Sequence, residues 1–124
     1  MEIVLSNSSG VPIYEQIASQ IRSCILSGEL DPGEALPSIR GLAATLRISA
    51  ITTKRAFAEL EAQGLIETVP GKGSFVAGID PELLQEERLR RVEQALSRVL
   101  LEAREAQLGR QELVEMLDLM FEEE

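Results

Sequence analysis

Four positively charged side chains, Arg40, Arg47, Lys54 and Arg55, fall between Ala35 and Ala58 with no acidic residue among them, in a chain of formal net charge −9. A second acid-free stretch, Thr68 to Ile79, carries a single cation, Lys72, set between Gly71 and Gly73. Local positive charge kept inside an acidic chain suits a face that meets a polyanion. The spacing sharpens this. Ile51, Lys54 and Arg55 stand at i, i+3 and i+4, so on a helix they share one side, away from Thr53, Ala56, Phe57 and Leu60. Cations there reach phosphates or guanine edges, and a bare isoleucine can touch a thymine methyl. Glycines beside Lys72 let the backbone come close to a phosphate or a minor groove.

Composition removes most other chemistries. The chain has no histidine and one cysteine, Cys24. That excludes Ser-His-Asp and Cys-His triads and argues against a zinc site of the usual nitrogen and sulfur kind. No metal, cofactor or enzymatic activity is expected. A carboxylate-dependent hydrolase would need two acids converging in a cleft, and the 21 acidic residues sit mostly where solvated helix faces would put them. Gly71-Lys72-Gly73-Ser74 lacks the spacing and the following helix of a nucleotide-binding loop. Cys24 falls on an apolar helix face, where a packed thiol is expected rather than a redox switch. No apolar run approaches the ~18 residues of a membrane span, and no charged-then-apolar leader opens the chain. An unpaired cysteine fits a reducing compartment, so a cytoplasmic protein without a membrane partner is expected.

The elements that would position these residues follow from periodicity. Aromatics make up only 3% of the chain against 44% hydrophobic residues, so the core must be aliphatic. Pro12 suits a first helical position, and behind it Ile13, Ile17, Ile21 and Ile25, with Tyr14, Ala18 and Cys24, share a face. Gly28 ends this helix and Pro32-Gly33 marks a turn. Ser38 is placed to cap a second helix of about three turns that buries Ile39, Leu42, Ala43 and Leu46. Arg47-Ile48-Ser49 makes a turn, Ser49 caps a third helix reaching Gln63, and Gly64 stops it. Leu65–Val69 and Ser74–Ala77 then read as a hairpin with its tip at Pro70-Gly71-Lys72-Gly73.

Beyond Pro81 the character changes. Leu89, Val92, Leu96, Val99, Ala103 and Ala106 step by three and four residues, a heptad-like stripe. Glu86–Arg90 and Glu87–Arg91 are spaced as i, i+4 pairs. Gly109 interrupts the stripe, and Leu113, Met116, Leu117, Met120 and Phe121 form an apolar side on a following helix. Two such helices cannot bury both apolar faces alone, so pairing with a second chain is expected. The acidity also concentrates here. Residues 1–76 hold six Lys/Arg against eight Asp/Glu, a net of −2, and residues 77–124 hold six against thirteen, a net of −7.

Several motifs together resemble the GntR family of bacterial transcription regulators. The likeness runs from Pro12-Ile-Tyr-Glu-Gln-Ile17 through Ile25-Leu-Ser-Gly-Glu-Leu-Asp-Pro-Gly33, Leu36-Pro-Ser-Ile-Arg40 and Glu59-Leu-Glu-Ala-Gln-Gly-Leu-Ile66 to Gly71-Lys-Gly-Ser-Phe-Val76. It implies a mainly α fold with a small β-hairpin wing. Residues 1–77 would form a winged helix-turn-helix DNA-binding domain and residues 78–124 a two-helix dimerisation region. The short tail resembles the YtrA subfamily. On that resemblance the chain is a dimeric, sequence-specific regulator, more a repressor than an activator, of an operon nearby that is often one for a transporter. It would bind a palindromic operator on double-stranded DNA, with a small-molecule effector left open.

Carried over position by position, DNA contacts fall on Arg40, on Ser49, Thr52 and Lys54, and on Gly71, Lys72 and Gly73, with Arg55 at a commonly basic position; Ala50 and Ile51, on the same helix start, complete the expected DNA-binding set. From the periodicity of the tail, dimer contacts are expected on Leu89, Val92, Leu96, Val99 and Ala103, then Leu113, Leu117 and Met120. Two departures stand out. Ala50 and Ile51 replace the family's usual Arg or Pro followed by a polar residue, which leaves the operator sequence open. Gly41 replaces the Glu that would complete a capping box with Ser38, and predicts a start to the second helix weaker by about a kcal/mol at most. The rival reading is a winged-helix adaptor that binds protein rather than DNA, favoured by the acidic balance and the missing Arg at Ala50.

Overall fold

Helix α1 (Ile13–Ser27) runs one face of isoleucines into the centre of the first unit: Ile17 and Ile21 have no exposed surface and Ile25 almost none. In the computed structural model, which describes residues 1–123, α1 is followed by α2 (Ile39–Leu46), α3 (Ala50–Ala62), β1 (Ile66–Val69), β2 (Gly73–Val76), α4 (Pro81–Glu105) and α5 (Arg110–Glu122). The expected order of three helices, a hairpin and two further helices is therefore present. The chain divides into two compact units, Met1–Gln85 and Glu86–Glu124.

The core of the first unit is aliphatic as the composition requires, with Phe57 its one fully buried aromatic ring. Ile17, Ile21, Leu60 and Ile66 are its largest wholly enclosed hydrophobic side chains. Thr53 is also enclosed, and its hydroxyl donates to the Ser49 carbonyl at 3.3 Å, which satisfies a group that would otherwise be costly to bury.

Local chemistry explains the helix boundaries. Ser38 Oγ accepts from the Gly41 amide at 2.9 Å and Ser49 Oγ from the Thr52 amide at 3.1 Å, so both serines cap as their positions suggest. α2 has eight residues, about a turn shorter than expected. A Cβ added at Gly41 would stand 2.8 Å from Ser38 Oγ. A side chain there would require the serine hydroxyl to shift by a few tenths of an ångström, and the glycine leaves the cap without the reciprocal glutamate of a capping box. Arg47, not a glycine, takes the left-handed conformation (φ 58°) that closes α2, with the Ile48 amide reaching back to the Ala43 carbonyl. Gly64 (φ 75°) ends α3, and the Leu65 amide bonds to the Leu60 carbonyl.

Two features have no counterpart in the periodicity. Residues 33–36 lie along the free edge of β2: the Gly33 amide donates to the Val76 carbonyl, Val76 to Glu34, and Leu36 to Ser74, at 2.8–2.9 Å. This single-bridge segment backs the hairpin with a third extended piece. The chain before α1 is held by two glutamine side chains. Gln20 pairs with both backbone groups of Val4 at 2.7 and 2.9 Å, and Gln16 does the same for Ser6 at 2.8 Å. Each amide imitates one rung of a β-ladder, and Ile3 and Leu5 pack on the core.

In the second unit, α4 ends at Glu105 and Gln107 (φ 59°) makes the left-handed break. Gly109, expected to be that break, has extended backbone and is the N-cap of α5, where its amide donates to Glu112 Oε2 at 2.9 Å. Arg90 pairs with Glu87 at i, i+3, where an i, i+4 partner was expected. Ala103 is buried within this unit, unlike the other residues of the stripe; Leu89, Val92, Leu96 and Val99 are all about half exposed. Among the described residues no helix is long and apolar enough to cross a membrane.

Candidate nucleic-acid interface

α3 packs its Thr53, Ala56, Phe57 and Leu60 side inward, and this fixes what its other side offers. Ala50, Ile51, Lys54, Arg55 and Ala58 are exposed along the first two turns. Ile51 is 82% exposed, a large aliphatic side chain with almost no protein around it. Neither the helix before α3 nor its first two turns carries an acid, so neither element adds a negative charge against the positive end of the α3 dipole.

The hydroxyls at the helix start are engaged locally. Ser49 Oγ accepts the Thr52 amide and lies 2.9 Å from Thr52 Oγ1. Arg40, on the first turn of α2, is exposed, as is Lys54. Among the described residues neither has an ion-pair partner, and nor does Lys72. Their charge is available to an external anion.

Arg55 is occupied differently. Its guanidinium carbon stands 3.8 Å from the centre of the Tyr14 ring, a cation–π contact between α3 and α1. Forty-one positions separate the two residues, so no spacing pattern could have paired them. Tyr14, expected in the core or at a domain junction, is half-buried against the core of the first unit under this contact.

β1 and β2 pair antiparallel, Ile66 with Val76, Thr68 with Ser74, Val69 with Gly73. At the tip the Lys72 amide donates to the Val69 carbonyl at 2.9 Å. Proline followed by a glycine at φ 77° is the sequence of a type II turn. Gly73 also has positive φ (112°), and a Cβ at either glycine would meet nothing within 4 Å. The glycines are thus required by backbone conformation, and the tip they shape carries Lys72 out into solvent.

Cys24 is 9% exposed among the core residues. Burial, then the neighbouring Glu29 carboxylate, push its thiol up to about 11. The thiolate is the reactive form, so the native protein at pH 8 is expected to react with a thiol reagent far more slowly than the same protein unfolded. Native reactivity should rise as pH climbs toward 11. The raised value also means that the stability tied to the neutral thiol is complete below the unfolded thiol's pKa and is lost as pH rises through the folded one. Rapid labelling of native protein at pH 8 would show that Cys24 is open to solvent.

Among the described residues no group of acidic or cysteine side chains is arranged to hold a metal ion.

The family of bacterial regulatory proteins, gntR family, matches residues 13–76, from the start of α1 to the end of β2. The chain belongs to the GntR family. The HTH-type transcriptional repressor YtrA of Bacillus subtilis is 32% identical over 115 residues, covering 93% of this chain and 88% of that protein. YtrA from Sulfolobus acidocaldarius, a GntR-family transcription factor of known structure, is 30% identical, covers 98% of this chain and 97% of its own, and superposes with a TM-score of 0.60. The DNA-binding domain of AraR in complex with operator ORR3 is 31% identical, with TM-score 0.53, over 62% of this chain and 93% of that one. These likenesses extend past the winged helix into α4 and α5 for the two YtrA proteins, and this GntR member is of the YtrA-like kind. It is a transcription regulator with a DNA-binding winged helix-turn-helix, α2 and α3 forming the helix-turn-helix and β1–β2 the wing.

Proposed function

We propose that this GntR member is a dimeric repressor that binds an inverted-repeat operator near an operon it controls, an ABC-transporter operon being the first to examine. α3 enters the major groove with Ala50, Ile51 and Lys54 against base edges. Arg40 holds a phosphate, Ser49 and Thr52 lie at the groove wall, and the wing tip of Gly71, Lys72 and Gly73 reaches backbone or minor groove. The observation that carries this reading is the outward side of α3, acid-free through two turns with an isoleucine 82% exposed and a lysine that has no ion-pair partner among the described residues. Arg55 contributes less directly, because its charge is drawn onto Tyr14.

Dimerisation rests on the second unit. Leu96, Val99, Leu117 and Met120 are each about half exposed or more, and Leu113 and Ala103 line a groove between α4 and α5 together with Ala95 and Ala106. Apolar surface left open on two consecutive helices is stabilised by a second copy. Leu89 and Val92 extend the same stripe toward the start of α4.

Titration of the protein into duplexes from the DNA upstream of its gene, at two salt concentrations, tests the reading. Two protomers per inverted repeat, with binding that falls steeply as salt rises, is the expected result. Binding no tighter than to competitor DNA would put the protein-binding adaptor in its place.

A further inference from the structure

On the regulator reading just given, we propose that Ile51 makes this protein a reader of the thymine C5-methyl group, so that operator choice depends on apolar contact where polar recognition would be the usual means. Ile51 is the most exposed large hydrophobic side chain among the described residues, at 82%. It stands in the first turn of α3, the part of a recognition helix that meets base edges. A β-branched side chain on a helix has one strongly preferred rotamer, so little freedom is lost when it docks.

The neighbours narrow what the surface can recognise. Ala50 offers only a methyl. Ser49 and Thr52 share a hydrogen bond at 2.9 Å and the capping contact besides, which leaves one hydroxyl hydrogen between them for a base. Arg55 lies on Tyr14. Lys54 remains, a single ammonium without the planar fork that matches guanine in two places. The thymine methyl is the one apolar group that base pairs present in the major groove. A first turn rich in aliphatic surface and poor in free donors is complementary to it.

The test begins with a randomised duplex pool from which the full-length protein selects its own sites. The tightest duplex is then remade with deoxyuridine for thymine, one pair at a time, which removes the methyl and leaves the pairing intact. At one position in each half-site, affinity for the wild-type protein should fall about four-fold, and about fifteen-fold when both halves are changed. In Ile51→Ala that penalty should vanish while the protein stays folded, since alanine favours the helix and the isoleucine side chain is 82% exposed. Uridine duplexes that bind as tightly as thymine ones would overturn the proposal. So would a penalty of undiminished size in Ile51→Ala, which would assign the methyl to another residue or to DNA shape. A pool that yields no enriched duplex at all would overturn the regulator reading itself, a different result from the first two.

Discussion

Leu96→Glu combined with Val99→Glu is expected to convert the protein into a monomer and to weaken operator binding by two orders of magnitude or more. Both side chains sit on the stripe of α4, 48% and 45% exposed, and neither belongs to the buried core of the winged-helix unit. The substitutions should leave the winged-helix unit folded, with its thermal transition little changed. In a dimer the same positions are enclosed, and a carboxylate placed there either loses its water or forces the helices apart. Loss of the second protomer matters because two half-sites bound by one linked pair gain about 10²–10⁴ over independent binding. Light scattering should report a mass near 13.6 kDa for the variant and twice that for the parent. A variant that stays dimeric would show that the chains pair elsewhere and that this stripe has another partner.

The stripe was legible because its period is local. Residues three and four apart meet on a helix whatever the rest of the chain does. The same holds for the isoleucine face of α1, for Ser38 and Ser49 as caps, and for Gly64, whose left-handed backbone only a residue of its kind adopts easily. The hairpin was equally open to reading, since Pro70-Gly71 dictates its turn. Other features are tertiary. The pairing of residues 33–36 with β2 satisfies backbone groups that no side-chain pattern announces, and two glutamines acting as rungs look like any polar residues on a helix. Gln107 took the left-handed break that Gly109 was expected to make, because a helix end is set by where its last carbonyls find donors and the Leu108 amide finds Ala103. At the candidate interface, exposure of Ile51 and Lys54 followed from the inward face of α3. The stacking of Arg55 on Tyr14 did not, because that contact exists only once α1 lies against α3.

Replacing Arg40 and Lys54 together with alanine is expected to weaken operator binding about a hundred-fold, each contributing roughly ten-fold. Both side chains are exposed and without ion-pair partners among the described residues, so unfolding free energy should move by no more than about 0.5 kcal/mol. The two single variants should differ in kind. Arg40 lies on α2, which in a helix-turn-helix crosses the backbone, so Arg40→Ala should lower affinity for all sequences alike and reduce the salt slope by about one. Lys54 projects from the exposed side of α3 beside Ile51, the side proposed to read base edges, so Lys54→Ala should also blunt the preference for the operator over a mutated half-site. Measuring both variants on operator and scrambled duplex at matched salt separates the roles. If both lose affinity equally on the two duplexes, Lys54 is a phosphate contact and Ile51 is left as the principal reader on that turn. If neither loses affinity, the cation-bearing face of α2 and α3 is not the surface that meets DNA.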